Sequence, residues 1–320
     1  MKIAVSARLL VVFLGAAQVA AAQGVWRQVV APAATRWFVK SAAVVDRETV
    51  VAATWPADEA ASAEHPSVWT VNLRTGKRRC VLRDLTAWDV VAADAGGFWL
   101  LPRFGNEIRR YTLAGRLAER RRLPIRAQGL KRAGGELLIV QMAFGGRGKL
   151  LWRGKGGRFV PWADEIQPGA GDLASLIRRN TVLVAASENR AAVARPFVGP
   201  GLVILDRDGN PVVRTELPPM KPQAGRGPHR VRGEEPVFPL VDLAVDAKYV
   251  YCLVGKGDRE SGARGGEQRL VVMRLSGEVE RSVATPVKAA CVLLDSGGEP
   301  LILDHRLGIY RLSDREGKAR

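Results

Sequence analysis

Apolar residues along this chain fall into short, strand-length runs separated by tight polar turns, and one order of run and turn recurs. The stretch "AGGFWLLPRFGNEIRRYTLAGRLAERRRLP", Ala95 to Pro124, shows the unit: a Gly-Gly turn into an apolar run, a second run, a Gly turn and a third run. Its entry reappears as "AGGELLIV" at Ala133 and "SGGEPLIL" at Ser296, with looser copies "DRETVVAA" at Asp46, "RRNTVLVA" at Arg178 and "DAKYVYCLV" at Asp246. Four of these corners carry aspartate (Asp46, Asp94, Asp246 and Asp295), whose side chain can accept a local backbone N–H and close an Asx-turn. A further apolar run precedes the corner ("SAAVV", "DVVAA", "DLAV", "CVLL"). A hairpin follows ("VWTVNLRTGKRRCVL", "LVILDRDGNPVVRTEL", "LVVMRLSGEVERSVA"), with short Gly- or Asp-containing turns of the kind that join antiparallel strands.

Four antiparallel strands in a unit of roughly 50 residues, repeated six times, predict a six-bladed β-propeller. "GDLASLIRR" is the one short helical candidate. The sixth unit runs "VKAACVLLD", "GEPLILD", "LGIYRL" and lacks a fourth strand, while "VWRQVVA", Val25 to Ala31, precedes the first unit without a place in it. Because an open sheet edge is a liability, the N-terminal strand is expected to complete the last blade. The prediction is an all-β fold, a single propeller over residues 23–320 closed by its own N-terminus.

The first residues change the picture of where this fold works. Lys2 and Arg8, the apolar run Leu9 to Val19 and the small residues Ala20 to Ala22 before Gln23 have the layout of a secretory signal peptide. The run is shorter than the ~20 apolar residues that span a bilayer. Residues 1–22 are therefore expected to be a cleaved leader, with a periplasmic or extracellular location and no membrane span.

Lys and Arg number 49 against 32 Asp and Glu, a formal net charge of +17. Such an excess favours polyanionic partners. The basic residues are spread over many hairpins, as at Arg120 to Arg122 and Arg178-Arg179, and export argues against a specific nucleic-acid role. A protein, glycan or small-molecule ligand is expected instead.

In a propeller, second-to-third-strand and blade-to-blade connections emerge on one face. The long segments "WPADEAASAEHPS", "AFGGRGK", "ENRAAVARPFVGPG", "GKGDRESGARGGEQ" and the Pro/Gly/Arg-rich Pro218 to Pro239 are all read as this class, which makes that face the expected ligand surface. Pro218 to Pro239 is expected to be mobile and open to proteolysis.

The three histidines, His65, His229 and His305, fall in the same class. No HxH or HExxH spacing links them, so metal ligands and plain polar loop residues both stand as readings. Counting back four residues from each corner along the innermost strands gives a channel level of Ala42, Val90, Gln128, Ala174, Asp242 and Cys291. Gln128 and Asp242 are its polar members. With Asp304 and His305 at a strand end near the channel, they are the candidate ligand-binding residues. For Asp242, a cation or substrate hydroxyl competes with the simpler reading of a carboxylate satisfied by backbone N–H groups or water.

Cys80, Cys252 and Cys291 show no metal spacing. Buried free thiols are the favoured reading, and a Cys252–Cys291 bridge stays open. Trp69 and Trp99 read as interblade core, whereas Trp55, beside Pro56 at a strand end, suits a ligand platform. No GxSxG or P-loop motif is present.

With these features in place, the chain resembles the six-bladed β-propeller superfamily that includes NHL-repeat and TolB-like proteins. The blade "WLLPRFGNEIRRYTLAGRL" carries the likeness: Asn106 and Ile108 fit the NHL pattern, while Pro102 and Arg103 stand where its Asp is expected. "ILDHRLGIYRL" keeps that Asp as Asp304 and lacks the Asn. The resemblance implies the fold, and this fold hosts enzymes, scaffolds and receptors alike. A non-enzymatic binding or scaffold module is the leading expectation. The alternative is a metal-dependent hydrolase or lyase, gluconolactonase-like or streptogramin-lyase-like, with a divalent cation at the channel mouth held by Asp242, Asp304 and His305.

Overall fold

A computed structural model describes residues 25–35, 37–56, 65–94, 96–103, 105–142, 148–167, 173–217, 240–255 and 268–313. They form six four-stranded antiparallel sheets. Blade one contains β2 (Trp37–Val44), β3 (Thr49–Pro56), β4 (Ser67–Asn72) and β5 (Arg78–Arg83), preceded by β1 (Val25–Val30). Blade two contains β6 (Ala87–Ala93), β7 (Gly97–Pro102), β8 (Glu107–Thr112) and β9 (Leu117–Arg122). Blade three contains β10 (Ala127–Ala133), β11 (Glu136–Gln141), β12 (Lys149–Lys155) and β13 (Arg158–Glu165), and is followed by a helix, α1 (Leu173–Asn180). Blade four contains β14 (Leu183–Ala186), β15 (Ala191–Ala194), β16 (Gly201–Leu205) and β17 (Pro211–Glu216). Blade five contains β18 (Leu240–Val245), β19 (Tyr249–Val254), β20 (Arg269–Arg274) and β21 (Val279–Ala284). Blade six has β22 (Ala289–Leu294), β23 (Pro300–Asp304) and β24 (Ile309–Ser313), and β1 supplies its fourth, outermost strand.

The alternation of side chains across a strand explains why second strands are continuously apolar. Each blade has two neighbours, so both faces of its second strand are buried. In β7, Phe98 and Leu100 pack toward blade one, while Trp99 and Leu101 pack toward blade three. In β19, Val250, Cys252 and Val254 face blade four, and Tyr251 and Leu253 face blade six. Outermost strands have only one covered face, and β9 and β17 accordingly alternate between exposed and half-buried positions.

The corner aspartates act as the sequence implies at three blades. Asp46 accepts the Glu48 N–H at 2.8 Å, Asp246 accepts those of Lys248 and Tyr249, both at 2.7 Å, and Asp295 accepts that of Gly297 at 2.8 Å. Asp94 instead pairs with Arg132. Trp99 is interblade core and Trp69 packs half-buried against the cluster between blades six and one.

Blade four corrects the sequence reading. The run "TVLVA" is not a second strand; Leu183–Ala186 is the innermost strand, and the tight turn comes after it, with Ser187 N–H donating to Arg190 O at 2.8 Å. The segment read as the long loop "ENRAAVARPFVGPG" therefore contains the second strand, β15. Its "AAVA" sequence was hard to see because alanine has little strand preference. Here it is buried on both faces, where small side chains let the neighbouring blades close in. Ala174, placed by the count at the channel level, lies in α1 instead. That helix lies in the connection from blade three, and Leu173, Ile177 and Asn180 line the channel beside the short β14. Asn180 is buried and ties the helix down, exchanging two hydrogen bonds of 2.8 Å with the Gln167 backbone.

Residues 57–64, 143–147, 168–172, 218–239 and 256–267, and hence His229 and the Pro218 to Pro239 loop, lie outside the described residues, as do residues 1–24, which include the expected leader.

Candidate functional site

Five of the six innermost strands share one irregularity. The register with the second strand slips by a residue between Val39 and Ser41, Ala87 and Asp89, Ala127 and Gly129, Leu240 and Asp242, and Ala289 and Cys291. The extra residues are Lys40, Trp88, Gln128, Val241 and Ala290. Bulges bend a strand and re-aim its side chains. Here they sit in the first half of these five inner strands, and all five residues line a channel of about 950 Å3. Its floor is formed by small or aliphatic residues, among them Ala43, Ala92, Ala186, Ala244 and Leu294.

One residue below each bulge lies a polar belt: Ser41, Asp89, Gly129, Asp242 and Cys291, with Lys131 reaching in from β10. Asp89 is its hub. It accepts the N–H groups of Val90 at 3.0 Å and Leu130 at 2.9 Å, the Lys131 ammonium at 3.1 Å, and the Ser41 hydroxyl. Blades one, two and three are thus stitched together by one carboxylate. Asp242 makes the equivalent stitch between blades five and six, accepting Val292 N–H at 3.0 Å.

The electrostatics of the belt differ between its two carboxylates. Burial pushes the Asp242 carboxyl up to about 6, against the opposing pull of Lys131 and the Val292 and Leu243 N–H groups, and Asp89 adds to the rise. Burial likewise pushes the Cys291 thiol well up, with Asp242 and Asp89 adding to the effect and Lys131 and Lys40 opposing it. Cys252 is also raised by burial, so neither thiol is primed as a thiolate. Cys80, Cys252 and Cys291 are all free, and the bridge left open by the sequence is not formed.

A raised carboxyl has a definite consequence for folding. The folded state holds the Asp242 proton more tightly than the unfolded chain does, so this group favours folding as pH falls from above about 6 toward the ordinary Asp range. As pH rises through about 6, that contribution is lost. The difference in urea midpoint between Asp242→Asn and wild type should therefore favour the variant more at pH 8 than at pH 5. An equal difference at both pH values would mean that Asp242 titrates normally.

Of the sequence candidates, the structure brings Gln128, Asp242 and His305 to the wall of one channel. Gln128 ties blade three to the end of α1, donating from Nε2 to Gln141 O at 3.1 Å and Asn180 O at 3.0 Å. His305 stacks on Phe38, with ring centroids 5.6 Å apart, and its Nδ1 accepts the Val39 N–H at 3.3 Å. That bond places the proton of the neutral ring on Nε2.

Asp304 is not among the channel-lining residues. It is buried and closes the turn into β24, accepting Arg306 N–H at 2.7 Å and Gly308 N–H at 2.8 Å around Leu307, which has φ of 56°. His65 stands away from the channel, 3.2 Å from Asp84, with both side chains exposed. Among the described residues, no group of three or more His, Cys, Asp or Glu is placed to hold a metal ion together.

The count from the corners missed Asp89, Ser41, Lys40 and Lys131. Beside the mouth, Lys40 lies 4.2 Å over the Trp88 ring, Trp88 meets Trp55 at 5.6 Å, and Arg103 lies 5.2 Å over Trp55. Trp55 also donates its indole N–H to Ala87 O at 2.9 Å.

These features define a six-bladed β-propeller with a polar belt across a wide central channel. No family model matches the chain, and no curated protein aligns with it significantly. Solved structures do resemble it. A gluconolactonase from Xanthomonas campestris superposes with a TM-score of 0.57 at 14% identity, covering 90% of this chain and 89% of that one. A protein of unknown function from Bacteroides thetaiotaomicron gives 0.53 at 13% identity, covering 90% and 75%. A chain of a nidogen–laminin complex gives 0.50 at 11%, covering 80% and 84%. At these identities the likeness shows the fold alone. No helix among the described residues is long and apolar enough to cross a membrane.

Proposed function

We propose that the protein is an exported binding propeller, NHL- or TolB-like in lineage, that works without catalysis in the periplasm or outside the cell. Its ligand, a small molecule or a group presented by a protein or glycan, enters the central channel from the long-loop face. The observation that carries this reading is the channel itself. About 950 Å3 of space, walled by aromatic and aliphatic side chains with a few convergent polar groups, is the form that ligand pockets take. The leader-like residues 1–22 support export.

Small-molecule screening by thermal shift, with wild type and Ala290→Trp, tests it. Ala290 is a half-buried bulge residue on the channel wall, and an indole there obstructs the mouth. Stabilising compounds should lose their effect on Ala290→Trp, with the variant's fold confirmed by circular dichroism, and keep it on the hairpin-face variants Arg74→Ala and Arg116→Ala. Binding that ignores the channel, falls steeply with salt and weakens with each arginine removed would mark a diffuse polyanion binder. That result overturns the channel reading.

Divalent-cation binding at the mouth, and hydrolase or lyase chemistry with it, is the second proposal, drawn from the likeness to a gluconolactonase. His305 and Asp242 are the described donors nearest to such a role, and each already accepts a backbone N–H. Metal analysis of the purified protein tests this proposal: stoichiometric metal lost in His305→Ala supports it, and none detected overturns it.

A further inference from the structure

We propose that the outer edge of blade two docks an extended acidic segment of a partner protein, which adds as a fifth strand along β9 with carboxylates at alternate positions. This surface lies on the outside of the ring and works independently of the channel.

Basic charge on the outer strands is concentrated on two adjacent blades. β5 and β9 together carry six arginines, Arg78, Arg79, Arg83, Arg120, Arg121 and Arg122, against one glutamate, Glu119. The other outer strands, β1, β13, β17 and β21, share four arginines and four carboxylates between them. Two of the first six are engaged locally. Arg78 donates to Ala31 O and Leu307 O, and Arg121 pairs with Glu119 and lies 4.7 Å over the Trp99 ring. Arg79, Arg120 and Arg122 are exposed, and none of them has a carboxylate partner among the described residues. Glu107, across the ladder from Arg122, is held by Arg109.

Strand register turns these three arginines toward one groove. Arg120 lies opposite Arg109 and Arg122 opposite Glu107, while Arg109 lies opposite Leu100, which packs toward blade one. Directly opposite residues share a face of the sheet, so Arg120 and Arg122 face blade one. On the other wall, Arg79 lies opposite Thr70, and Thr70 opposite Val51, which packs toward blade two. The half-buried Val81, Leu82 and Leu113 pack on the core cluster between these two blades and give the groove an apolar base. The turn from β8 to β9 abuts β5 at one end: a Cβ on Gly115 would lie 2.3 Å from Val81 O.

Among the described strands, β9 is hydrogen-bonded to β8 alone and ends its sheet, so the backbone groups along its other side form an open edge. An extended chain laid there continues the ladder. Its side chains alternate like those of β9, with neighbours on one face about 6.8 Å apart. Two acidic residues separated by one position then stand opposite Arg120 and Arg122, where a guanidinium can take a carboxylate with two N–H groups. A second copy of this edge would set arginine against arginine, and like charges across a ladder oppose pairing. An acidic strand supplies the counter-ions that Arg79, Arg120 and Arg122 lack.

Fluorescence anisotropy with two dye-labelled peptides tests the docking strand. The first is Thr-Glu-Thr-Glu-Val-Thr. The second, Thr-Glu-Glu-Thr-Val-Thr, has the same composition and charge but places its carboxylates on opposite faces of a strand. The first should bind more tightly. Arg120→Glu/Arg122→Glu should weaken it about tenfold, because two favourable cross-strand pairs become two repulsive ones. Arg158→Glu/Arg214→Glu, on β13 and β17, should keep wild-type affinity. If charge reversal unfolds the chain, Arg120→Ser/Arg122→Ser should show a smaller loss in the same direction.

Equal binding of the two peptides, or equal loss in the two reversal variants, would mean that charge alone is read and overturns the docking strand. No binding of the first peptide overturns it too, and heparin binding in its place would mark a glycan surface. Ala290→Trp should bind the first peptide as wild type does. Loss of binding there would place the peptide in the channel and overturn the edge site.

Discussion

Removing residues 1–31 should cost the propeller most of its stability. The strand β1 pairs with β24 from Val25 opposite Ser313 to Val30 opposite Ile309, and it is the last strand of blade six. Its loss uncovers Ile309, Tyr310 and Leu312, all buried in the closed ring. It also removes Val30, which is 1% exposed in the cluster between blades six and one, and Trp26, which packs beside β21 and donates to Ala284 O at 2.8 Å. Arg78 loses its bond to Ala31 O. One fully buried Val side chain is worth about 1.5–3 kcal/mol. With the unpaired edge and the Trp26 contacts added, the loss approaches the ~5–15 kcal/mol that a whole domain commonly has.

Urea unfolding of the chain beginning at Pro32, against one beginning at Gln23, reads the effect. A synthetic peptide of residues 23–35 added in trans should restore part of it. Trp26→Ala and Val30→Ala provide milder versions if the truncated chain does not accumulate. Equal midpoints for the two chains would show that blade six holds without its fourth strand.

The closing strand was legible in the sequence because it depends on counting: one blade lacked a strand and one strand lacked a blade. The interblade core was legible for a similar reason. Uninterrupted apolar runs such as "YVYCLV" are what a strand buried on both faces requires. Blade four was not legible, because "AAVA" carries a packing role and little intrinsic strand signal, and the end of α1 imitates a corner.

The belt was missed for a geometric reason. Counting four residues back from each corner assumes corners of one length and strands without bulges. Ser41 and Asp89 lie five residues before Asp46 and Asp94, whereas Asp242 and Cys291 lie four before Asp246 and Asp295. The count therefore found the second pair and stepped over the first. Aligned on the bulge, "KS", "WD", "QG", "VD" and "AC" fall into one column, and Asp89 appears beside Asp242. That signal was present in the sequence, but nothing in it marks where a strand bulges.

Asp89→Ala should be the most damaging single change in the channel wall. Asp89 is 6% exposed, and its four partners come from three blades. Alanine strands the Lys131 ammonium without its counter-ion and leaves the Leu130 N–H, in the same buried wall, without its acceptor. Removing one partner of a buried ion pair costs about 3–5 kcal/mol, since the remaining charge stays desolvated. The double variant Asp89→Ala/Lys131→Met removes that charge as well, so it should be less destabilised than Asp89→Ala alone, and the coupling between the two sites is read directly from the cycle.

Asp89→Ala also acts across the channel. Asp89 raises the Asp242 carboxyl and Lys131 lowers it. With Asp89 gone, the Asp242 proton should leave at lower pH. Urea midpoints for Asp89→Ala, Lys131→Met and the double variant test the first effect, and the pH dependence of the Asp89→Ala midpoint, with and without Asp242→Asn, tests the second. A loss below about 1 kcal/mol, within the range of an ordinary surface ion pair, would mean that the Asp89–Lys131 pair is solvated in the channel. The stitch between the first three blades would then be only decoration on the hydrophobic core.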